Sequence, residues 1–94
     1  MRTLPNVMTL LLASLTLGTS ISMSHAQGRC QSLWVERNSY YKEAGYCFKT
    51  SRAISYFGNA GCRYDNESAV PLSAGARNRI AEITREERDL SCGN

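Results

Sequence analysis

The strongest constraint on the fold is a set of four cysteines in a very short chain. Cys30, Cys47, Cys62 and Cys92 are all the cysteines of the 94-residue sequence. A domain of this size rarely gains more than about 3–5 kcal/mol from its core alone, so it usually carries covalent cross-links. An even number of cysteines in an exported chain indicates two disulfides.

Four cysteines allow three pairings, and the sequence does not choose among them rigorously. We favour Cys47 with Cys62, which closes a short loop, and Cys30 with Cys92, which joins the two ends of the domain. In the chain-entropy model the short loop contributes about 3 kcal/mol and the long one about 4 kcal/mol. The two bonds together would then match the whole stability expected of so small a domain.

The amino-terminal segment predicts export. Arg2 supplies a positive charge, residues 7–17 are apolar and rich in leucine, and Ser24-His25-Ala26 has the small-x-small pattern of a cleavage site. This pattern predicts a signal peptide over residues 1–26, cleaved after Ala26. An uncleaved anchor is the alternative, but the apolar run is about half of the roughly 20 residues that a membrane span needs. We therefore expect a periplasmic or extracellular protein, not embedded in the membrane after cleavage, with one mature domain over residues 27–94.

Helical patterns dominate the mature segment. A first helix is expected to begin at a Ser32 cap and end at Gly45, and a second to run from about Arg52 to Phe57 with Thr50 or Ser51 as its cap. Residues 59–71 lack a sustained period and predict a loop. No window after Ala26 alternates long enough to make a buried strand. The expected fold class is mainly α, a small three-helix domain with long loops and two disulfides.

The third helix has the clearest pattern. Ser73 is its predicted cap, and an apolar stripe follows at Ala76, Ile80, Ile83 and Leu90. Glu82, Glu86 and Glu87 alternate with arginines at helical spacings of three and four. We interpret these carboxylates as a solvent-exposed face and not as an acid pair for glycoside hydrolysis.

Several kinds of chemistry are disfavoured. The only histidine, His25, would leave with the signal peptide, so the mature domain would lack the usual general base near neutral pH. The cysteines contain no CxxC pair, which disfavours zinc. A formal net charge of +3 is too mild to indicate nucleic acid. We expect no catalytic residue, no cofactor and no metal, and hence a protein that is not an enzyme.

One segment is more specific than helical periodicity requires. Residues 37–48 read RNSYYKEAGYCF, and this segment resembles the core of the YARHG domain, a small exported bacterial domain named for its Tyr-Ala-Arg-His-Gly motif. Lys42, Glu43 and Ala44 stand where the motif has Ala, Arg and His, so this chain looks like a variant with four cysteines. The resemblance implies an extracytoplasmic interaction module with no established activity. The residues that match the family pattern are Arg37, Asn38, Tyr41, Gly45, Tyr46 and Phe48.

The tyrosine and glycine positions also have a structural interpretation. If Gly45 is the left-handed residue just past the first helix, Tyr41 and Tyr46 occupy the two positions whose side chains meet in a Schellman cap. Three of the matching residues would then form one helix stop, and this reading is favoured over a ligand-binding role.

Two functions from different classes remain open. Every aromatic residue of the chain lies between positions 34 and 64, which favours a binding module for an envelope glycan or an envelope protein, with Lys49, Arg52 and Arg63 adding contacts to anions. The simpler reading places most of these rings in the core. The alternative function is a structural or stress-related periplasmic protein without a small ligand.

Overall fold

Three helices form the framework of the protein. The computed structural model describes residues 18–93, with α1 at Gly18–Glu43, α2 at Ser51–Phe57 and α3 at Ala74–Asp89. The predicted three-helix, mainly α fold is confirmed, and no strand occurs within the described range. Arg2 and the apolar run 7–17 lie outside it. No helix in that range is long and apolar enough to cross a membrane.

The start of the first helix differs from the prediction. α1 begins at Gly18, fourteen residues before the expected Ser32 cap. Ser32 lies inside the helix and donates its hydroxyl to the Gly28 carbonyl at 3.1 Å, because a helical serine can bond the carbonyl four residues back instead of capping. The predicted cleavage point after Ala26 therefore lies within α1 in this chain, and residues 27–43 are the part of the helix that would remain after cleavage.

The other helix ends are set by side-chain caps. Thr50, one of the two expected caps of α2, accepts from the Ala53 amide at 3.2 Å, and Gly58 follows the helix at φ +73°. Ser73 caps α3 as predicted, accepting from the Ala76 amide at 3.1 Å. These caps satisfy amide groups that have no partner within the helix.

The exit from α3 uses an unexpected residue. Ser91 takes the left-handed conformation with φ +56°. The Cys92 amide donates to Glu87 O at 2.8 Å and the Ser91 amide donates to Arg88 O at 3.0 Å, which is the hydrogen-bond pattern of a Schellman cap. The nearest glycine, Gly93, lies two residues further along.

The connection between α2 and α3 is not wholly irregular. A short 3-10 helix, Glu67–Ala69, interrupts the segment that was expected to be a loop. Its cap is Asn66, whose side chain accepts from the Ser68 amide at 3.2 Å. One turn of this kind gives too little periodicity for a sequence pattern to reveal it.

Two disulfides close the fold. The structure joins Cys30 to Cys92 across a separation of 62 residues and Cys47 to Cys62 across 15. The first bond ties α1 to the end of α3. The second bond ties the segment after α1 to the segment after α2.

Ion pairs flank the antiparallel contact between α1 and α3. Arg29 pairs with Glu86 near one end of the contact, and Arg79 donates to both carboxylate oxygens of Glu36 near the other, at 2.7 and 2.8 Å. The hydrogen bonds from Arg79 hold the pKa of Glu36 below its ordinary value, and the same pairing raises the pKa of Arg79. Between these pairs along the two helices lie the two most deeply buried side chains, Leu33 and Ile83.

An aromatic cluster forms the second part of the core. Trp34 from α1, Phe48 from the following segment and Ala53 from α2 are all buried and form one cluster. Tyr41 and Phe57 are among the partly buried residues packed against it. This cluster packs the segment after α1 and the helix α2 against α1. The residues that match the family pattern lie in the same region.

Candidate ligand-binding pocket

The end of α1 has the predicted helix-stop geometry. Gly45 has φ +93°. The Tyr46 amide donates to Tyr41 O at 3.0 Å, and the Gly45 amide donates to Lys42 O at 3.2 Å. The Tyr41 and Tyr46 rings meet edge to face at 5.8 Å, so the Schellman interpretation is confirmed. This stop turns the chain sharply and brings Tyr46 back against α1.

The turn is held in place by a second segment. Gly45 O accepts from the amides of Arg63 at 2.7 Å and Tyr64 at 3.0 Å, and the Cys47 amide donates to Tyr64 O at 2.8 Å. These bonds form an isolated parallel bridge between Tyr46 and Tyr64, beside the Cys47–Cys62 disulfide. The bridge and the disulfide fix the backbone on which the aromatic residues after α1 stand.

Asn59 fixes the next residue of that segment. Its side-chain oxygen accepts from the Phe48 amide at 2.7 Å, and its side-chain nitrogen donates to Phe48 O at 3.0 Å. One amide side chain thus makes the two backbone hydrogen bonds that a neighbouring strand would otherwise make at Phe48. Sequence reasoning missed this role, since an Asn in a Gly-rich stretch is also an ordinary turn residue.

Most of the aromatic residues belong to one contiguous set of contacts. Tyr46 packs edge to face on Phe48 at 5.3 Å, and Phe48 stacks on Phe57 at 5.2 Å. Phe57 lies 5.8 Å from Trp34. Tyr56 on α2 is the exception in exposure, with 56% of its surface accessible. Trp34 and Phe48 are therefore core residues, whereas Phe57 and the tyrosines of this set stay partly accessible.

The family-pattern residues converge on one open pocket, which we call the motif pocket. It has a volume of about 210 Å³. The floor includes the buried Trp34 and Phe48, and the exposed side chains at its edge include Lys49, Thr50 and Glu67. Gly45 ends α1 next to it. The pocket is lined by the other five of the six residues that carried the resemblance: Arg37, Asn38, Tyr41, Tyr46 and Phe48.

Two cations at the pocket have acidic partners. Arg37 donates to both oxygens of Glu87, at 2.8 and 3.1 Å. Glu87 is 3% exposed, so the expectation that it belongs to a solvent-exposed face is wrong. Lys49 contacts Asp65 at 3.1 Å in an exposed pair. The positive charges at the pocket are therefore largely compensated from within the protein.

The position of Glu87 could have been anticipated. Residues 76, 80, 83, 87 and 90 are spaced by four and three, so Glu87 occupies the apolar stripe of α3. A carboxylate at a stripe position requires a buried cation as its partner, and Arg37 is the partner that α1 supplies.

Glu67 differs from the other charged residues of the pocket. It forms no salt bridge within residues 18–93. Burial raises the pKa of Tyr41, and the nearby Glu67 raises that pKa further through its negative charge and a side-chain hydrogen bond to the phenol. The pocket therefore presents a carboxylate without a salt bridge in the described residues, beside the Tyr41 phenol.

A larger groove adjoins the motif pocket at Tyr41 and Glu67. It has a volume of about 500 Å³ and lies between the 3-10 helix region and α3. Val70, Leu72 and Ile80 supply aliphatic surface to it, and Arg77, which donates to Leu72 O at 2.6 Å, also lines it. We call it the adjoining groove, and its two shared residues place it next to the motif pocket.

The basic residues expected to hold anions have other contacts. The Arg52 guanidinium lies 3.8 Å from the centre of the Trp34 ring and donates to the Gln31 side chain at 2.5 Å. With Lys49 beside Asp65, two of the three residues in that expectation already have partners. Arg63 is exposed beside the helix stop.

No metal-binding cluster is assembled in the described residues. Within residues 18–93 no three histidine, cysteine or acidic side chains are grouped so that they could hold a metal ion. His25 is exposed on α1, inside the predicted signal peptide. All four cysteines are bonded in disulfides.

Comparison with known protein families places the chain in one of them. A family model described as YARHG domain matches residues 8–88, which is most of the chain. No curated protein and no solved structure matches it. The match includes the segment that forms the helix stop and the motif pocket.

Proposed function

This chain belongs to the YARHG domain family, and on that premise we propose that it is an exported, non-catalytic binding module of the bacterial cell envelope. In this proposal the motif pocket holds part of an envelope component. The observation that carries the proposal is the convergence of five family-pattern residues on one open pocket. A helix stop alone would need Tyr41, Gly45 and Tyr46, but it would not need Arg37, Asn38 and Phe48 around the same space.

The tyrosines of the pocket favour binding over a purely structural role. Tyr41 and Tyr46 are only partly buried, whereas Trp34 and Phe48 form the floor beneath them. Partly accessible aromatic rings above a rigid floor supply a large contact area with little loss of side-chain entropy on binding. The Cys47–Cys62 disulfide and the Asn59 bonds hold that floor in place before any ligand arrives, which lowers the cost of binding.

The two disulfides support export to an oxidising compartment. Protein recovered from its native location should therefore begin at Gln27, and its intact mass should rise by four hydrogen masses on reduction. Four free thiols, or an unprocessed amino terminus in the cytosol, would contradict export.

Retention of envelope components on the immobilised, exported protein tests the binding proposal. Lys49→Trp places a bulky ring at the exposed edge of the motif pocket, whereas Arg85→Trp makes a comparable change on the exposed surface of α3. We expect the wild-type protein and Arg85→Trp to retain the same glycan or protein component, and Lys49→Trp to lose it at an unchanged melting temperature. Equal retention by all three proteins, or none by any, would refute binding at the motif pocket.

A structural or stress-related role without a small ligand is the second candidate. It is favoured by the internal use of the same side chains, since Arg37 pairs with Glu87 and Asn38 donates to Trp34 O at 2.9 Å. This role predicts that a deletion strain loses envelope integrity under detergent or oxidative stress. It also predicts that Lys49→Trp restores integrity as fully as the wild-type gene.

A further inference from the structure

Resting on the proposed function, we propose that the motif pocket takes the cationic side chain of a lysine or arginine in an extended peptide segment of a protein partner. The adjoining groove takes an aliphatic residue next to that cation. The proposed function leaves the envelope component unspecified, and this proposal names its ligand chemistry. Charge, aromatic lining, pocket size and the adjacency of the two cavities carry it.

The charges at the pocket favour a cation. Arg37 is neutralised by the buried Glu87, and Lys49 lies beside Asp65. Glu67 is the remaining acidic residue of the lining and has no salt bridge within the described part of the chain. An incoming ammonium or guanidinium would give Glu67 a cationic partner beside the Tyr41 phenol, and charge-assisted hydrogen bonds of this kind are strong.

The aromatic lining favours the same ligand. Tyr41 and Tyr46 border the pocket above the Trp34 and Phe48 floor. Aromatic faces attract cations through their quadrupole, and the methylene stem of a lysine or arginine packs well on apolar rings. An anionic ligand would meet the same rings with Glu67 opposing it.

The size of the pocket favours a single side chain over a sugar chain. Its volume of about 210 Å³ is below the roughly 300–1,000 Å³ of sites that enclose a drug-sized molecule. One long side chain needs less space than a disaccharide. The remainder of a ligand must therefore continue outside the motif pocket.

The adjoining groove provides that continuation. It shares Tyr41 and Glu67 with the motif pocket and is lined by Val70, Leu72 and Ile80. An extended peptide with a basic residue at Glu67 would place its neighbour over this aliphatic surface. A peptide therefore fits the two cavities together, and the expected recognition sequence is a basic residue adjacent to leucine, isoleucine or valine.

Three short peptides test this ligand class against the disulfide-bonded protein recovered after export. The probes are acetyl-Gly-Lys-Leu-Gly-amide and its Gln and Glu counterparts, each titrated at millimolar concentration while the amide signals of the pocket are followed by NMR. We expect the Lys peptide to bind about tenfold more tightly than the Gln peptide. The Glu peptide should bind most weakly, and added salt should reduce the preference for Lys.

Two matched variants locate the effect. Glu67→Gln should abolish the preference for Lys over Gln, whereas Asp89→Asn removes one charge from the far end of α3 and should leave the preference intact. Both residues are exposed, so both variants should keep the wild-type melting temperature. Equal binding of the Lys and Gln peptides, binding of none, or an unchanged preference in Glu67→Gln would overturn the proposal.

The result also separates this inference from the proposed function. If the Lys peptide does not bind but Lys49→Trp still loses an envelope component, the binding module stands and the peptide class is wrong. Saturable binding of soluble peptidoglycan fragments at the motif pocket, without binding of the Lys peptide, would overturn the inference in favour of a glycan ligand.

Discussion

At the scale of single residues, Gly45 carries a strict backbone requirement. It has φ +93°, and a methyl group added there would lie 3.4 Å from Cδ2 of Tyr64. We expect Gly45→Ala to lower the free energy of unfolding by about 1 kcal/mol or more, because alanine resists positive φ.

Gly28→Ala is the control, since Gly28 lies inside α1 with open space around it. It should raise stability by about 0.5–1 kcal/mol. Urea denaturation measures both changes, and an unaffected Gly45→Ala would contradict the helix-stop role.

Position 91 carries a similar backbone requirement, but a serine occupies it instead of a glycine. It adopts φ +56° at the end of α3, a conformation that costs a non-glycine residue about 1 kcal/mol. Ser91→Gly should therefore raise the melting temperature, whereas Ser55→Gly within α2 should lower it through poorer helix propensity. Thermal unfolding of the two variants compares the same chemical change in two conformations. A decrease in both would show that residue 91 is not held in the left-handed region.

Local signals in the sequence predicted some of these residues and could not predict others. The spacing of Tyr41, Gly45 and Tyr46 encodes the Schellman cap, because all its bonds lie within six residues. Asn59 pairs with Phe48 across eleven residues of chain, and that contact depends on how α2 folds back. Such a pairing leaves no periodic trace in the sequence.

At the scale of elements, the Arg37–Glu87 pair is the most buried of the ion pairs between α1 and α3 in the described residues. Glu87→Ala should cost about 3 kcal/mol, because it leaves Arg37 partly buried without its partner. The adjacent Glu86→Ala breaks an exposed pair with Arg29 and should cost less than about 1 kcal/mol.

A double variant separates two causes of the stability loss in Glu87→Ala: the unpaired charge on Arg37 and the lost packing at position 87. Arg37→Met combined with Glu87→Leu should recover much of the stability lost in Glu87→Ala, since a matched apolar pair leaves no charge uncompensated. Urea denaturation of the single and double variants measures the coupling. Similar losses of unfolding free energy in Glu86→Ala and Glu87→Ala would show that the Arg37–Glu87 pair contributes no more than an exposed ion pair.

The Glu36–Arg79 pair predicts a pH dependence of stability. The folded-state pKa of Glu36 lies below its ordinary value of 4.5 because Arg79 donates to the carboxylate. The stabilisation is therefore present above the unfolded-state pKa and is lost as the pH falls through the folded-state pKa. Wild-type protein and Glu36→Gln should differ in melting temperature at neutral pH and converge in acid. A difference that persists unchanged to the lowest pH would contradict the ion pair.

Helix ends were predictable where a cap is local, and less so where a helix continues past a cap-like residue. Thr50 and Ser73 cap α2 and α3, but Ser32 does not begin α1. Serine serves equally as a cap and as an internal residue that bonds back along the helix. Two signals conflict at Glu87: alternation with arginines indicates an exposed face, whereas its position in the apolar stripe of α3 indicates burial, and the structure follows the stripe.

At the scale of the whole molecule, the candidate site is assembled from distant parts of the chain. α1 supplies Arg37, Asn38 and Tyr41, the segment after the helix stop supplies Tyr46 and Phe48, and the 3-10 helix supplies Glu67. The sequence identified the first five through family resemblance, but their convergence on a pocket requires the fold. Glu67 had no signal of its own, since it joins the site only through the return of the chain past Cys62.

Chemical-shift mapping tests most directly whether the family-pattern residues form a binding site. Isotope-labelled protein, recovered after export with both disulfides intact, is titrated with a solubilised envelope fraction. We predict that amide shifts concentrate at the motif pocket, at Tyr41, Tyr46, Lys49 and Glu67. No shifts, or shifts centred on the exposed surface of α3 around Arg85, would contradict a binding role for the motif pocket.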